Sequence, residues 1–236
     1  MPDRARIAAS VAEVRGRIAA AARRGGRRPE EVTLVAVSKT FGPEAVRAAF
    51  DAGQRDFGEN KVQEALEKIA ATADKDMRWH LVGHLQSNKA RKAVGAFAWI
   101  HSVDSVALLQ RIDEAAAAQG ASPGLLVQVD LARESAKFGA SVEEAHRIVR
   151  AALAARAARL AGLMVLPPWS DDPEQTRPWF ARLRALRDEM VRGGVPGGAL
   201  SHLSMGMSHD YEAAIEEGAT IVRVGTAIFG ARAAKD

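Results

Sequence analysis

Lys39 ends an apolar, alternating run, Val32-Thr33-Leu34-Val35-Ala36-Val37-Ser38-Lys39-Thr40. In an extended strand Val35, Val37 and Lys39 share one face. An amine set against apolar neighbours loses solvation, which lowers its pKa and makes it a usable nucleophile toward an aldehyde. A lysine in that position can also snorkel to solvent or pair with a carboxylate, and the strand alone leaves both readings open. A second constellation closes the chain: Ile221-Val222-Arg223-Val224-Gly225-Thr226. Gly225 permits close backbone approach, Thr226 brings a hydroxyl, and backbone amides follow into a turn, which together suit a phosphate. An ordinary strand-ending turn uses the same residues. Arg223 weighs for the phosphate reading, because a guanidinium in an apolar strand needs an inward partner.

Between these ends stand Phe57-Gly58-Glu59-Asn60 and Trp79-His80-Leu81-Val82-Gly83-His84-Leu85-Gln86-Ser87-Asn88-Lys89. Asn60 and Asn88 are the only asparagines of the chain. Asn88 is expected to cap the helix that follows, while Asn60 either caps or donates to a ligand oxygen. His80 and His84 are four apart, but their stretch is a strand without H-E-x-x-H or a supporting carboxylate. They are expected as hydrogen-bonded histidines at a strand end rather than zinc ligands. Ser204 lies in His202-Leu203-Ser204-Met205-Gly206, which lacks the first Gly of G-x-S-x-G, so a hydrolase elbow is not indicated. Its hydroxyl is available instead at the close of the seventh strand.

The elements that must hold these groups alternate. Strands are predicted at 32–38, 55–58, 79–84, 99–103, 125–130, 160–166, 200–204 and 221–224, with helices at 43–52, 61–71, 89–94, 105–119, 142–155, 173–192 and 210–217. Such alternation over about 200 residues is the arithmetic of an α/β protein of the (β/α)₈ TIM-type barrel class. The rival, a doubly wound sheet, usually has fewer strands, and its G-x-G-x-x-G fingerprint is absent. Lys39, Asn60, Asn88 and Thr226 each follow a strand, on the rim where barrels place function. One domain spanning residues 1–236 is expected, with residues 1–28 an added N-terminal amphipathic helix on Ile7, Val11, Val14 and Ile18.

Composition narrows the function classes. With no cysteine there is no disulfide, thiolate catalysis or Cys-ligated metal. Eight Arg against Asp3 and Glu13 make residues 1–28 basic, while the rest of the chain carries 25 basic and 27 acidic residues. The basic face is expected to be solvated, with no nucleic acid as partner. No apolar stretch approaches the ~18 residues of a membrane span, and the start lacks the apolar core of a signal peptide. No membrane partner and a cytoplasmic location are the expectations.

Taken together, Val35-Ala36-Val37-Ser38-Lys39-Thr40, Phe57 through Glu64, Trp79 through Lys89, Gly162-Leu163-Met164 and Leu203 through Gly230 resemble the pyridoxal-phosphate homeostasis protein family, over roughly residues 5–232. Its members resemble the barrel domain of alanine racemase, standing alone. The resemblance implies that Lys39 forms the internal aldimine with pyridoxal 5′-phosphate, and that Ser204, Gly225 and Thr226 hold the phosphate. It implies further that Arg223 faces the pyridine nitrogen and that Asn60 lines the cofactor. His84 and Met164, inside the matched segments, complete the cofactor-binding set. An arginine can only donate to that nitrogen, so the ring is a weak electron sink. The implied function is intracellular homeostasis of the cofactor, held and supplied to dependent apoenzymes without turnover, by a monomer or weak dimer. The alternative is an amino acid racemase using the same cofactor. That needs a second base opposite Lys39, and the only tyrosine, Tyr211, starts a helix after the seventh strand. The chain is expected to supply no second domain that could deliver another.

Overall fold

Each apolar run pairs in parallel with its neighbours on both sides, so the sheet has no edge. The computed structural model describes residues 3–132 and 138–231. Its strands are β1 (Thr33–Val37), β2 (Asp56–Glu59), β3 (Arg78–Leu81), β4 (Trp99–Val103), β5 (Gly124–Val129), β6 (Arg159–Val165), β7 (His202–Met207) and β8 (Ile221–Val224). They close in chain order, with Val35 of β1 opposite Arg223 of β8. Around them run α1 (Arg4–Arg24), α2 (Pro43–Asp51), α3 (Val62–Thr72), α4 (Ala90–Val94), α5 (Val106–Gln119), α6 (Val142–Ala152), α7 (Arg177–Arg192), α8 (Tyr211–Glu216) and α9 (Thr226–Phe229). This is the (β/α)₈ barrel with an N-terminal helix that the alternation predicts. No helix among the described residues is long and apolar enough to cross a membrane.

Alternation along the strands sorts side chains into two cores. Leu34, Ala36, Phe57, Trp79, Leu81, Val222 and Val224 point outward and join the large core under the helices. Val35, Val37, Val82, Leu126, Ala161, Met164 and Ile221 form a smaller apolar group inside the barrel. The inner face is not wholly apolar: His80, His101, Ser204 and Arg223 are all buried there. β7 departs from strict alternation. Its Ser204 pairs with Ile221 but Met207 pairs with Arg223, three residues against two, a bulge at Gly206 whose φ is 92°. A side chain at Gly206 would also meet Ala214 at 2.6 Å and the Tyr211 Cα at 2.9 Å, so α8 packs directly on the bulge.

α1 lies across α8, α2 and α9 and buries Ile7, Val11, Val14 and Ile18, each such apolar side chain contributing ~1.5–3 kcal/mol. Its basic face is exposed, as expected, and several of its arginines are paired as well. Arg17 and Arg24 pair with Glu212 at 2.6 and 2.9 Å, and Arg24 also reaches Glu216 at 2.7 Å. Arg6 donates to the Phe229 carbonyl and Arg15 to that of Gly53. Arg27, just past α1, donates to Ile215 and Ala219 carbonyls. These arginines clamp the helix to the barrel, a use that charge counting cannot distinguish from solvation.

Candidate functional site

Lys39 follows β1 at the carboxyl end of the barrel, half-buried, on the lining of a cavity of about 390 Å³. The backbone on either side of it is anchored from α3. Lys68 Nζ donates to the Ser38 carbonyl at 2.7 Å, to Glu59 Oε1 at 2.7 Å and to Glu64 Oε1 at 2.9 Å. Ser38 Oγ donates to the same Glu59 oxygen at 2.6 Å, and the Thr40 amide donates to Glu64 Oε1 at 2.7 Å. Thr40 has φ +70°, a left-handed conformation that costs a β-branched residue energy and that this network holds in place. Burial raises the Glu59 carboxyl above the usual range even though Lys68 and Ser38 both stabilise its charge.

The opposite wall is built by β8 and the turn after β7. Arg223 is 4% exposed, and its Nη1 and Nη2 donate to Ser204 Oγ at 2.6 Å and to the Val165 carbonyl at 2.9 Å. Both acceptors are neutral, and among the described residues no carboxylate forms an ion pair with it. Burial pulls its pKa down to about 10, so it remains a cation at neutral pH. Beyond it, the Gly225 and Ala227 amides converge on Ser208 Oγ at 3.0 and 3.3 Å. Ser208, Gly225 and Thr226 line the cavity together with Lys39, Asn60 and Arg223. α9 therefore replaces the simple turn read after β8.

A second cavity, about 480 Å³, adjoins the first through Asn60, Val82, Leu166, Trp169, Met207 and His209. His84 lines it, stacked on Phe138 at 3.7 Å between centroids, with Nδ1 3.4 Å from Asp104. Burial raises the Asp104 carboxyl above its ordinary range, against the lowering effect of His84. Trp169 stacks on His209 at 4.5 Å, and Trp169 and Phe138 remain 69% and 58% exposed at the mouth.

The structure thus brings Lys39, Asn60, Arg223, Gly225 and Thr226 to one cavity and His84 to its neighbour. Ser204 and Met164 line neither. Both are fully buried inside the barrel, and the Ser204 hydroxyl is already taken between Arg223 and His101, at 2.6 and 2.9 Å. The reason is strand length: β7 runs on to Met207, so the hydroxyl at the rim belongs to Ser208, four residues past Ser204. Gly206 was the available signal, since a glycine inside a strand marks a bulge. His80 is likewise inside the barrel rather than at the rim, its ring hydrogen-bonded to His101 and Asp56. Asn88 falls within a short 3₁₀ turn, exposed, and neither that turn nor α4 has a side-chain cap. Among the described residues no group of three or more His, Asp or Glu could hold a metal ion.

A closed parallel barrel whose rim cavity sets a buried arginine and a Ser208–Gly225–Thr226 cluster with a lysine defines a class, and residues 11–233 match the family described as alanine racemase, N-terminal domain. The chain is 42% identical over 216 residues to the pyridoxal phosphate homeostasis protein of Aquifex aeolicus, covering 92% of this chain and 94% of that one. It is 45% identical over 226 residues to the protein of that name in Pseudomonas aeruginosa, 96% of each chain. Among solved structures, PipY of Synechococcus elongatus with pyridoxal phosphate bound superposes with a TM-score of 0.84 at 42% identity, over 95% of this chain and all of that one. A Clostridium difficile alanine racemase, at 16% identity and TM-score 0.68 over 87% of this chain and 54% of that one, shares the fold. The chain belongs to the pyridoxal phosphate homeostasis proteins.

Proposed function

We propose that this chain binds pyridoxal 5′-phosphate through Lys39 and holds it for supply to dependent apoenzymes, without turnover of its own. The observation that carries this reading is one cavity walled by a lysine, a buried guanidinium without a carboxylate, and a Ser208–Gly225–Thr226 cluster. The residues fit the group. Two amides already converge on an oxygen acceptor, Ser208 Oγ, as they would on a phosphate oxygen. Arg223 has N–H donors beyond the two it spends on Ser204 and Val165, available to a ring nitrogen lone pair. Lys39 would hold the cofactor by its amine, at the aldehyde carbon. The bound cofactor would supply an electron sink, which a donor at its ring nitrogen weakens.

The racemase alternative is less well supported. A tyrosine base opposite Lys39 would have to come from Tyr211, the sole tyrosine. Its side chain is 1% exposed, has the Arg17 guanidinium over its ring at 5.4 Å, and lines neither cavity. Burial also raises its pKa, which disfavours the phenolate. The test is borohydride reduction of the loaded protein followed by peptide mapping. Trapping at Lys39, lost in Lys39→Ala, is expected; trapping at Lys89, or at Lys137 outside the described residues, would refute the assignment. Alanine and serine in D₂O are expected to show slow Cα exchange and little inversion. Racemisation at about 1 s⁻¹ or faster, the lower range of ordinary enzymes, would overturn the carrier reading.

A further inference from the structure

Arg223 is one end of a hydrogen-bond string that runs down the inside of the barrel. Its Nη1 donates to Ser204 Oγ at 2.6 Å, and Ser204 Oγ lies 2.9 Å from His101 Nδ1. His101 Nε2 lies 3.0 Å from His80 Nδ1, and His80 Nε2 lies 3.0 Å from Asp56 Oδ1. Arg78 grips the same carboxylate with two bonds, at 2.7 and 2.6 Å. Asp56 and Arg78 line a cavity that also touches Arg15 and Ile18 of α1, away from Lys39. Each of the five members sits on a different strand, from β8 through β7, β4 and β3 to β2.

The two ends dictate the direction of every bond between them. Arg223 can only donate, and the Asp56 carboxylate can only accept. His80 must then carry its proton on Nε2, which leaves Nδ1 as an acceptor. His101 must carry its proton on Nε2 to fill that acceptor, and its bare Nδ1 takes the Ser204 hydroxyl proton. With that proton committed, both Ser204 lone pairs are open to Arg223. The opposite order would need a lone pair of His80 facing Asp56, or a buried imidazolium. Burial disfavours the latter, since it lowers the pKa of His80, and that of His101 more strongly.

We propose that Asp56, His80, His101 and Ser204 are positioning residues for Arg223, the charge at Asp56 fixing the hydrogen-bond direction that holds the guanidinium toward the cofactor ring. The inference rests on the reading that Arg223 faces that ring. It extends the cofactor site to a carboxylate beyond its lining and gives the two buried histidines a role that needs neither metal nor proton transfer.

The experiment uses the full chain with ¹⁵N-labelled histidine, first without cofactor. Both His80 and His101 are expected as neutral Nε2–H tautomers between pH 6 and 8. A predominant Nδ1–H tautomer or an imidazolium at either ring would overturn the proposal. In Asp56→Asn the amide can donate as well as accept, so both rings are expected to show mixed tautomers. The same variant, loaded with pyridoxal phosphate, is expected to show a displaced absorption band and release about three- to tenfold faster, the scale of one hydrogen bond. Unchanged tautomers, band and release in a folded Asp56→Asn protein would refute the role. Should that variant not fold, Ser204→Ala removes one hydroxyl only, and the same band displacement and faster release are expected, with wild-type values again refuting it. Borohydride trapping at Lys39 runs alongside. Its failure in the wild type would sink the cofactor reading, while the tautomers of the unloaded protein would still report on the string.

Discussion

Lys68 is the hub on which both peptide neighbours of Lys39 depend, and Lys68→Met tests it while nearly keeping the length of the side chain. The change removes donors at 2.7, 2.7 and 2.9 Å. It leaves Glu59, 0% exposed, with Ser38 as its one remaining donor and with Oε2 unpartnered. Removing one member of a buried pair costs about 3–5 kcal/mol, because the other charge is left uncompensated. Protonation of Glu59 limits that cost. Starting from an unfolded carboxyl near 4.3, protonation at pH 7 costs about 3.7 kcal/mol at about 1.4 kcal/mol per unit. The deficit at pH 7 is therefore expected at about 3–4 kcal/mol. A carboxyl raised in the folded state gives stability that is complete below its unfolded pKa and is lost as pH rises. The deficit should accordingly shrink by about 1.4 kcal/mol for each unit from pH 7 to pH 5. Lys68→Met/Glu59→Gln has no stranded charge and should recover to within about 1–2 kcal/mol of wild type. Urea unfolding followed by circular dichroism at pH 5, 6 and 7 measures all three proteins. A single-variant deficit below about 1 kcal/mol at pH 7, a deficit independent of pH, or a double variant no better than the single would refute the reasoning.

Gly83→Ala would place a Cβ 2.3 Å from the Asn60 carbonyl oxygen and 2.7 Å from its Cα, both backbone atoms. Destabilisation of about 1–3 kcal/mol or more, with weaker cofactor retention through displaced Asn60, is expected from unfolding and dialysis measurements. Thr226→Val removes one charge-assisted donor and should weaken retention about ten- to a hundredfold with the fold intact; equal retention would place the phosphate elsewhere. Acid should destabilise the unloaded protein in two stages. His80 and His101 are held below their usual pKa by burial, so their contribution is complete above about pH 6.5 and is lost as pH falls. Asp56, whose burial is outweighed by Arg78 and His80, sits at about 2, so its contribution is lost between about pH 4 and pH 2. A melting temperature that stays flat from pH 6.5 down to pH 4 would contradict the first stage.

The barrel was legible because its signals are local. Period-two alternation in 33–37 and 221–224, helix periodicity in 106–119 and a glycine cap at Gly120 each need only a short window of sequence. The bounds of β4 and β8 agree residue for residue with the alternation. Lys39, Asn60, Gly225 and Thr226 were legible for the same reason, since each follows a strand and the barrel gathers strand ends at one rim. Misreadings arise where one residue changes the count. The bulge at Gly206 carries β7 three residues beyond Ser204, so rim and interior exchange hydroxyls. His101 carries no signal within Trp99-Ile100-His101-Ser102-Val103, because its partners lie 21 and 103 residues away in sequence. Long-range polar pairing has no period to detect. The pairing of the α1 arginines is hidden on the same ground, since Glu212 and Glu216 are nearly the whole chain away.

Misread and correctly read residues meet at Arg223, and their combination explains why the barrel tolerates it. A buried guanidinium held only by neutral acceptors costs the fold several kcal/mol of desolvation. Packing the same position with an apolar side chain against Val35, Met164 and Ile221 would make a better core. Asp210, itself buried, stabilises the charge through space without pairing with it, and the barrel adds an indirect compensation. Ser204, His101 and His80 orient their dipoles head to tail from Arg223 to Asp56, so each oxygen or bare nitrogen faces the cationic end. Neutral dipoles lower the cost of the charge without cancelling it, and Asp56 is itself already paired with Arg78. The unloaded barrel consequently retains a cation whose field opens onto the cavity shared by Lys39 and Thr226. An anionic ligand entering there gains what the fold gave up, and by mass action it returns that free energy as stability. Burial of Arg223 without a paired carboxylate is thus a cost to folding that becomes affinity at the site.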